Sequence, residues 1–154
     1  MNKFIYLGMA ARMVPDKLHN LFLNIILDNK KFFDLNKIKV LLAGDGISKN
    51  SLQEKTKHKN LNNIVIFNGS LKEKDLINWF KKIDIYIHLS KDETTSTSIL
   101  QAMSMSLPII ASDIGGNRNL HKSIKNINNI TLVKNNKRDV FAKIKHLIIN
   151  KEKR

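Results

Sequence analysis

The sequence predicts an α/β fold, a doubly wound parallel sheet of about six strands with helices on both faces, in a single domain. Three observations predict it. Six short apolar runs recur along the chain, and several are unbroken Ile, Val, Leu or Phe, the mark of strands covered on both faces. Segments with a helical apolar stripe lie between them. Such alternation implies parallel strands joined by right-handed crossovers. The length of 154 residues suits one compact domain.

In chain order, the expected strands are Phe4–Met9, Lys39–Ala43, Asn63–Phe67, Asp84–Leu89, Leu107–Ser112 and Asn129–Val133. The first helix is expected over Lys17–Asp28, where Leu18, Leu21, Phe22, Ile25 and Ile26 share one face. A weaker helix is expected over Ser51–His58. Lys72–Lys82 carries Leu76, Ile77, Trp79 and Phe80. A fourth helix begins near Ser96, with Ile99, Leu100 and Met103 toward the core. The last, Arg138–Asn150, carries Val140, Phe141, Ile144, Leu147 and Ile148. Residues 1–150 form the domain, and the basic tail 151–154 is expected to fray.

Composition narrows the function. With 42% hydrophobic residues the chain can build a core, and no run approaches the roughly 18 apolar residues of a membrane span. The start MNKFIYLGMAARM mimics a signal peptide, but its apolar run stops at Arg12. There is no cysteine, which removes disulfides and thiolate metal sites and fits the cytoplasm. The net charge of +14 raises nucleic acid or an anionic membrane as partners. The lysines are scattered, however, and their clusters fall where helices end, so they read as solvated faces.

In such a sheet, ligands bind outside the carboxyl ends of the strands, so the loops there carry the chemistry. The loop after the fourth strand reads SKDETTSTS. Its helix would present unpaired N–H groups and partial positive charge, with Thr94, Thr95 and Ser96 adding donors. Thr97 and Gln101, four apart, share a face. Glu93 stands just ahead and could accept from hydroxyls, and Gln101 lies about 7 Å further along the ligand. A plainer reading is that Ser96 is only an N-cap and the other hydroxyls decorate a turn. After the first strand, Arg12 and Lys17 flank Pro15 and can point at one anion. After the second, Gly44 and Gly46 form a tight AGDG turn that would admit a ligand to the backbone. No GxGxxG or GxxxxGK[ST] pattern is present, which leaves a nicotinamide site or a Walker phosphate loop without support.

In order and spacing, these pieces resemble the C-terminal, donor-binding half of a GT-B glycosyltransferase of the large retaining family 4. The resemblance runs over about 150 residues, and such element-by-element agreement is what specifies a fold. It rests on RMVPDK, AGDG, the strand–Gly–helix stretch IVIFNGSLKEKDLINWFKKIDIYIHLS, and ETTSTSILQAMSMSLPIIASDIGG. The last stands for the family's Glu-x7-Glu signature with its x-Pro sequel. It departs from the pattern at three places. Thr94, Thr95 and Ser96 replace a Gly-Phe-Gly-like loop, Gln101 replaces the second Glu, and Ser106 replaces a small Gly.

The resemblance implies a Rossmann-like half of a two-domain enzyme. Its substrate would be a nucleotide-diphosphate sugar, moved with retention to a glycan or lipid-linked acceptor in surface polysaccharide or glycoconjugate synthesis. Arg12 and Lys17 would neutralise the diphosphate and Glu93 would hold sugar hydroxyls, with the backbone of Thr94 and Thr95. The Ser96–Thr97 helix end would help with the phosphates, and Gln101 would hold the ribose. The backbone from Asn68 through Gly69 to Leu71 would line the base. No cofactor and no metal are expected. The N-terminal GT-B domain is expected to be missing, so a partner domain in cis or in trans would be needed, and the chain alone would transfer nothing. The expected place is the cytoplasm, with peripheral contact at the inner membrane face compatible with the charge. Two rival readings stand beside this one. One is an orphan module that binds nucleotide sugars without transfer. The other is a basic nucleic-acid binder, which would want grouped aromatics for base stacking that this chain lacks.

Overall fold

The structure, a computed structural model, describes residues 4–123 and 129–150; the tail expected to fray lies outside them. All six strands are present: β1 Ile5–Ala10, β2 Ile38–Ala43, β3 Val65–Gly69, β4 Ile85–His88, β5 Ile109–Ser112 and β6 Ile130–Val133. They form one sheet in the order β3-β2-β1-β4-β5-β6, and every pairing is parallel. The helices are α1 His19–Asp28, α2 Lys30–Leu35, α3 Lys49–His58, α4 Glu73–Phe80, α5 Thr97–Ser104, α6 Gly115–Ser123 and α7 Lys137–Ile149.

Alternation along the strands divides the core into two layers. Leu7, Met9, Val40 and Leu42 join Phe22, Ile26, Phe33, Leu52, Val140 and Ile144 on the face covered by α1, α2, α3 and α7. Leu41, Ala43, Tyr86 and Ala111 join Trp79, Phe80, Ile99 and Ala102 on the face covered by α4 and α5, with Leu120 of α6 packed against it. Both faces of the central strands are therefore dry, as the unbroken apolar runs require. Phe22, Ile25 and Ile26 of α1 are fully buried, each stabilising the fold by roughly 1.5–3 kcal/mol.

Three differences from the sequence expectations have local causes. The first helix starts at His19, because Pro15–Lys17 forms a separate 3-10 turn and Leu18 adopts a left-handed φ of 51°. Helix α2 is a new element. Asn29 ends α1 by folding its amide onto the Ile25 carbonyl at 2.9 Å, and the chain restarts as a short helix that buries Phe33. Helix α6 is also new, and it begins at Gly115 in the Gly-Gly pair after β5.

Helix α5 ends in a Schellman motif. The Leu107 N–H donates to the Ala102 carbonyl at 3.1 Å and the Ser106 N–H to the Met103 carbonyl at 2.9 Å. This geometry holds Ser106 at a φ of 55°, a conformation that disfavours any residue with a Cβ. Ser106→Gly is therefore expected to stabilise the domain by about 1 kcal/mol. Urea denaturation checks this, and an unchanged or lower midpoint would show that the strain is absent.

Candidate active site

The winding of the sheet reverses between β1 and β4, and a crevice forms at such a point beyond the carboxyl ends of the strands. These two strands share only two residue pairs, Leu7 with Ile85 and Gly8 with Tyr86. Beyond them the Tyr86 hydroxyl donates to the Ala10 carbonyl at 3.1 Å, and burial pushes its pKa up to about 12. Further out, the Lys91 N–H donates to the Asp16 carbonyl at 2.9 Å and ties the loop after β4 to the loop after β1.

Lys17 and Glu93 meet in this crevice. The Lys17 ammonium donates to a Glu93 carboxylate oxygen, and the two side chains are 16% and 15% exposed. Lys17 Nζ also lies 3.4 Å from the Ser90 hydroxyl. The same Glu93 oxygen lies 3.3 Å from His88 Nε2. Burial pushes the Glu93 carboxyl up, but Lys17 and then His88 outweigh it, and the net direction is down. Burial holds His88 below the ordinary imidazole value against the pull of Glu93. His88 is thus neutral at pH 7 and donates from Nε2 to the carboxylate, so its Nδ1 is a buried acceptor with no partner among the described residues. Neutral His88 and charged Lys17 hold Glu93 from two sides.

The other expected site residues fall around this pair. Arg12 is exposed in the loop after β1, and among the described residues no side chain bonds its guanidinium. Thr94, Thr95 and Thr97 are exposed at the amino end of α5, and Gln101 is exposed one turn beyond Thr97. Ser96 is different. It is the N-cap of α5, 4% exposed, and its hydroxyl accepts from the Ile99 N–H at 3.3 Å and meets the Ser98 hydroxyl at 3.0 Å. The plain capping reading thus holds for this side chain. Gly69 ends β3 at positive φ after a register slip, which turns Asn68 to accept from Trp79 Nε1 at 2.9 Å. Leu71 and Asn68 line a shallow depression of about 400 Å³ against α4.

Gly44 and Gly46 have a neighbour that the sequence reading did not foresee. A Cβ at Gly44 would collide with the Ala11 carbonyl, and one at Gly46 with the Met13 carbonyl. The Met13 N–H donates to Asp45 at 2.8 Å, the Ser48 N–H to Met13 at 2.9 Å, and the Gly44 N–H to Gly69 at 2.7 Å. These glycines let the loops after β1, β2 and β3 lie backbone to backbone. Both glycines remain partly exposed on their other side. Gly116 does the same for the loop after β4, since a Cβ there would strike the carbonyls of Glu93 and Thr94.

The sequence reading missed the polar strap beneath the site. The Ser90 N–H donates to the Ser112 hydroxyl at 2.9 Å, and that hydroxyl donates to Asn135 Oδ1 at 2.5 Å. Asn135 Nδ2 closes the ring by donating to the Ser90 carbonyl at 2.9 Å. It also did not single out His88, which bonds Glu93. Its place at the end of β4, five residues before Glu93, was the available signal.

An open parallel sheet with a cation–carboxylate pair at its switch point has the architecture in which such folds bind ligands at the carboxyl edge. The sequence matches the family described as glycosyl transferases group 1 over residues 2–154, and the chain belongs to that family. It is 38% identical to protein CapJ of Staphylococcus aureus over 81 residues, covering 52% of this chain and 20% of the relative. Its fold superposes with a TM-score of 0.82 on HepE of Anabaena, solved with UDP and glucose, at 20% identity over 97% of this chain and 40% of that one. It superposes with a TM-score of 0.81 on the C-terminal domain of the group 1 glycosyl transferase LpcC of Francisella tularensis, at 21% identity, covering 96% of this chain and 77% of that one. The chain thus spans well under half the length of CapJ and HepE and is the C-terminal half of a GT-B fold. Among the described residues no helix is long and apolar enough to cross a membrane.

Behind the pair, His19 is buried at the start of α1 with neither ring nitrogen partnered among the described residues. Burial, and then the nearness of His88, lower its pKa to about 4. Above about pH 6.5 the ring is neutral folded or unfolded, and it does not affect stability. Between about 6.5 and 4 only the unfolded chain takes up the proton, so stability falls as pH falls. The expected loss from pH 7 to 5.5 is about 1 kcal/mol, with a clearly smaller loss in His19→Leu. Denaturant midpoints at the two pH values check this, and equal losses in both proteins would exclude His19 as the source.

Proposed function

We propose that this chain is the donor-binding half of a glycosyltransferase that moves a sugar, with retention, from a nucleoside-diphosphate sugar to a glycan or lipid-linked acceptor. The carrying observation is the meeting of Lys17 and Glu93 at the reversal of the sheet, with Arg12 exposed in the loop after β1. Family membership supports the class, and the UDP and glucose named for HepE support the kind of donor.

In this reading, Arg12 is the uncompensated cation that receives the diphosphate. Lys17, already paired, both reaches the phosphates and orients Glu93. The N–H groups of Thr97 and Ser98 at the amino end of α5 add partial positive charge toward the leaving group. Preorganised stabilisation of charge that builds on a leaving group is usually the largest catalytic term. Glu93, held by Lys17 and His88, accepts from sugar hydroxyls together with the backbone of Thr94 and Thr95. Gln101 faces the ribose and Leu71 the base. The acceptor is supplied from outside these elements, by a second domain in cis or in trans that also closes the site to water. The residues present need no metal for this chemistry, because Arg12, Lys17 and the helix end supply the positive charge.

Calorimetry with a nucleoside diphosphate tests the assignment. Arg12→Ala is expected to cost about 1.5–3 kcal/mol of affinity. Lys17→Met is expected to cost more, because it also leaves the Glu93 carboxylate facing the phosphates, and adding Glu93→Gln should recover part of the loss. Unchanged affinity in both single variants would remove the phosphate assignment. Gln101→Glu should tighten binding only when the ribose hydroxyls are present, since a charged acceptor bonds about twice as strongly. Gln101 is exposed, so the change should leave the melting temperature alone. An equal gain with a deoxyribose analogue would exclude the ribose role.

A further inference from the structure

A groove of about 580 Å³ runs between α1 and α3, on the opposite face of the sheet from α5. Its floor is apolar, formed by Leu18, Leu21 and Leu52. Its rim is a set of donors. Both charged residues that line it, Lys55 and Lys91, are lysines. Lys55 Nζ donates to Asn20 Oδ1 at 2.5 Å and to Asn24 Oδ1 at 2.6 Å. Those bonds use the two amide oxygens and leave both amide NH₂ groups to donate elsewhere.

Lys55 is bonded differently from several lysines near it. Lys17, Lys49 and Lys137 each bond a carboxylate, and Lys91 lies 3.7 Å from Asp16. Lys55 has amide partners only, and the nearby Asp28 is bonded to Lys137 at 2.7 Å. Partial burial and the neighbouring Lys137 and Lys59 disfavour its charge, and Asp28 only partly offsets them. An ammonium held by amides alone, among other cations, is a group that a bound anion can pair with. The amino end of α3 opens on the same groove through Ser48 and Ser51. No side chain caps it, and no acidic residue lies in its first turn.

We propose that this groove binds a phosphate ester. Lys55, Lys91 and the amides of Asn20 and Asn24 hold the phosphate oxygens, and the apolar floor receives the organic substituent. The groove adjoins the donor crevice, sharing its loops at Pro15, Leu18 and Lys91, but the proposal does not rest on the donor reading. Two sources share this chemistry, a soluble phosphate ester and the headgroup of an anionic lipid.

Amide chemical shifts of the 154-residue chain, titrated with glycerol 3-phosphate, test the site. Shifts are expected at Asn20, Asn24, Ser51 and Lys55. Lys55→Gln should raise the dissociation constant about fivefold or more, and Lys91→Gln by less. Lys74→Gln, which removes an exposed charge on α4, and Arg12→Ala, at the donor crevice, should leave it within about twofold. Co-sedimentation with phosphatidylglycerol vesicles, against phosphatidylcholine, separates the sources. Binding lost in Lys55→Gln but kept in Lys74→Gln indicates the lipid headgroup, whereas the glycerol phosphate response without vesicle binding indicates a soluble ester. Shifts confined to Arg12 and Lys17, or equal effects of Lys55→Gln and Lys74→Gln, would overturn the proposal and leave only the general charge of the chain.

Discussion

The pair of Lys17 and Glu93 spans the reversal of the sheet, and the rest of the carboxyl edge is arranged to hold it. Lys17 leaves β1 through the Pro15–Lys17 turn, and Leu18 at positive φ brings the chain back into α1. Glu93 leaves β4 and is pressed from below by Gly116. A pair this little exposed has given up much of its hydration, so losing one partner strands the other charge. His88 and Ser90, both buried, supply the further bonds that such a pair needs.

Rigidity at this edge comes from backbone contact between loops. The loops after β1, β2 and β3 are bonded to one another through Met13, Asp45, Ser48, Gly44 and Gly69. The loops after β4, β5 and β6 are bonded through Ser90, Ser112 and Asn135. The Asp16–Lys91 backbone bond joins the two groups. Loops tied in this way keep their dipoles and charges in place before a ligand arrives, which is the condition for effective electrostatic stabilisation. The exposed groups, Arg12, Thr94, Thr95, Thr97 and Gln101, stand on this platform.

The large positive charge has a local pattern that composition conceals. Lys49 and Lys137 are matched with carboxylates at loop and helix ends. Such exposed pairs contribute little to stability. Arg12 lies at the donor crevice and Lys55 in the α1–α3 groove, each at a place with room for an anion.

The strands and the long helices were legible because burial on both faces writes unbroken apolar runs and the helical stripe into the sequence. All six strands fall within a few residues of where those runs predict them. The short α2 and the glycine-led α6 were not legible. Helix α2 is too short to be stable alone and is held by Phe33 buried in the core, while α6 opens with two glycines, which local propensity disfavours in a helix. The sequence by itself determined which residue types stand at the carboxyl ends of the strands, through motif order and spacing. Only the tertiary structure decided their partners. Lys17 and Glu93 lie 76 residues apart, and Lys55 and Asn24 lie 31 apart. Parallel strands must be joined by crossovers, so contacts between different loops at the sheet edge join residues distant in sequence, and only the packed sheet brings them within bonding distance.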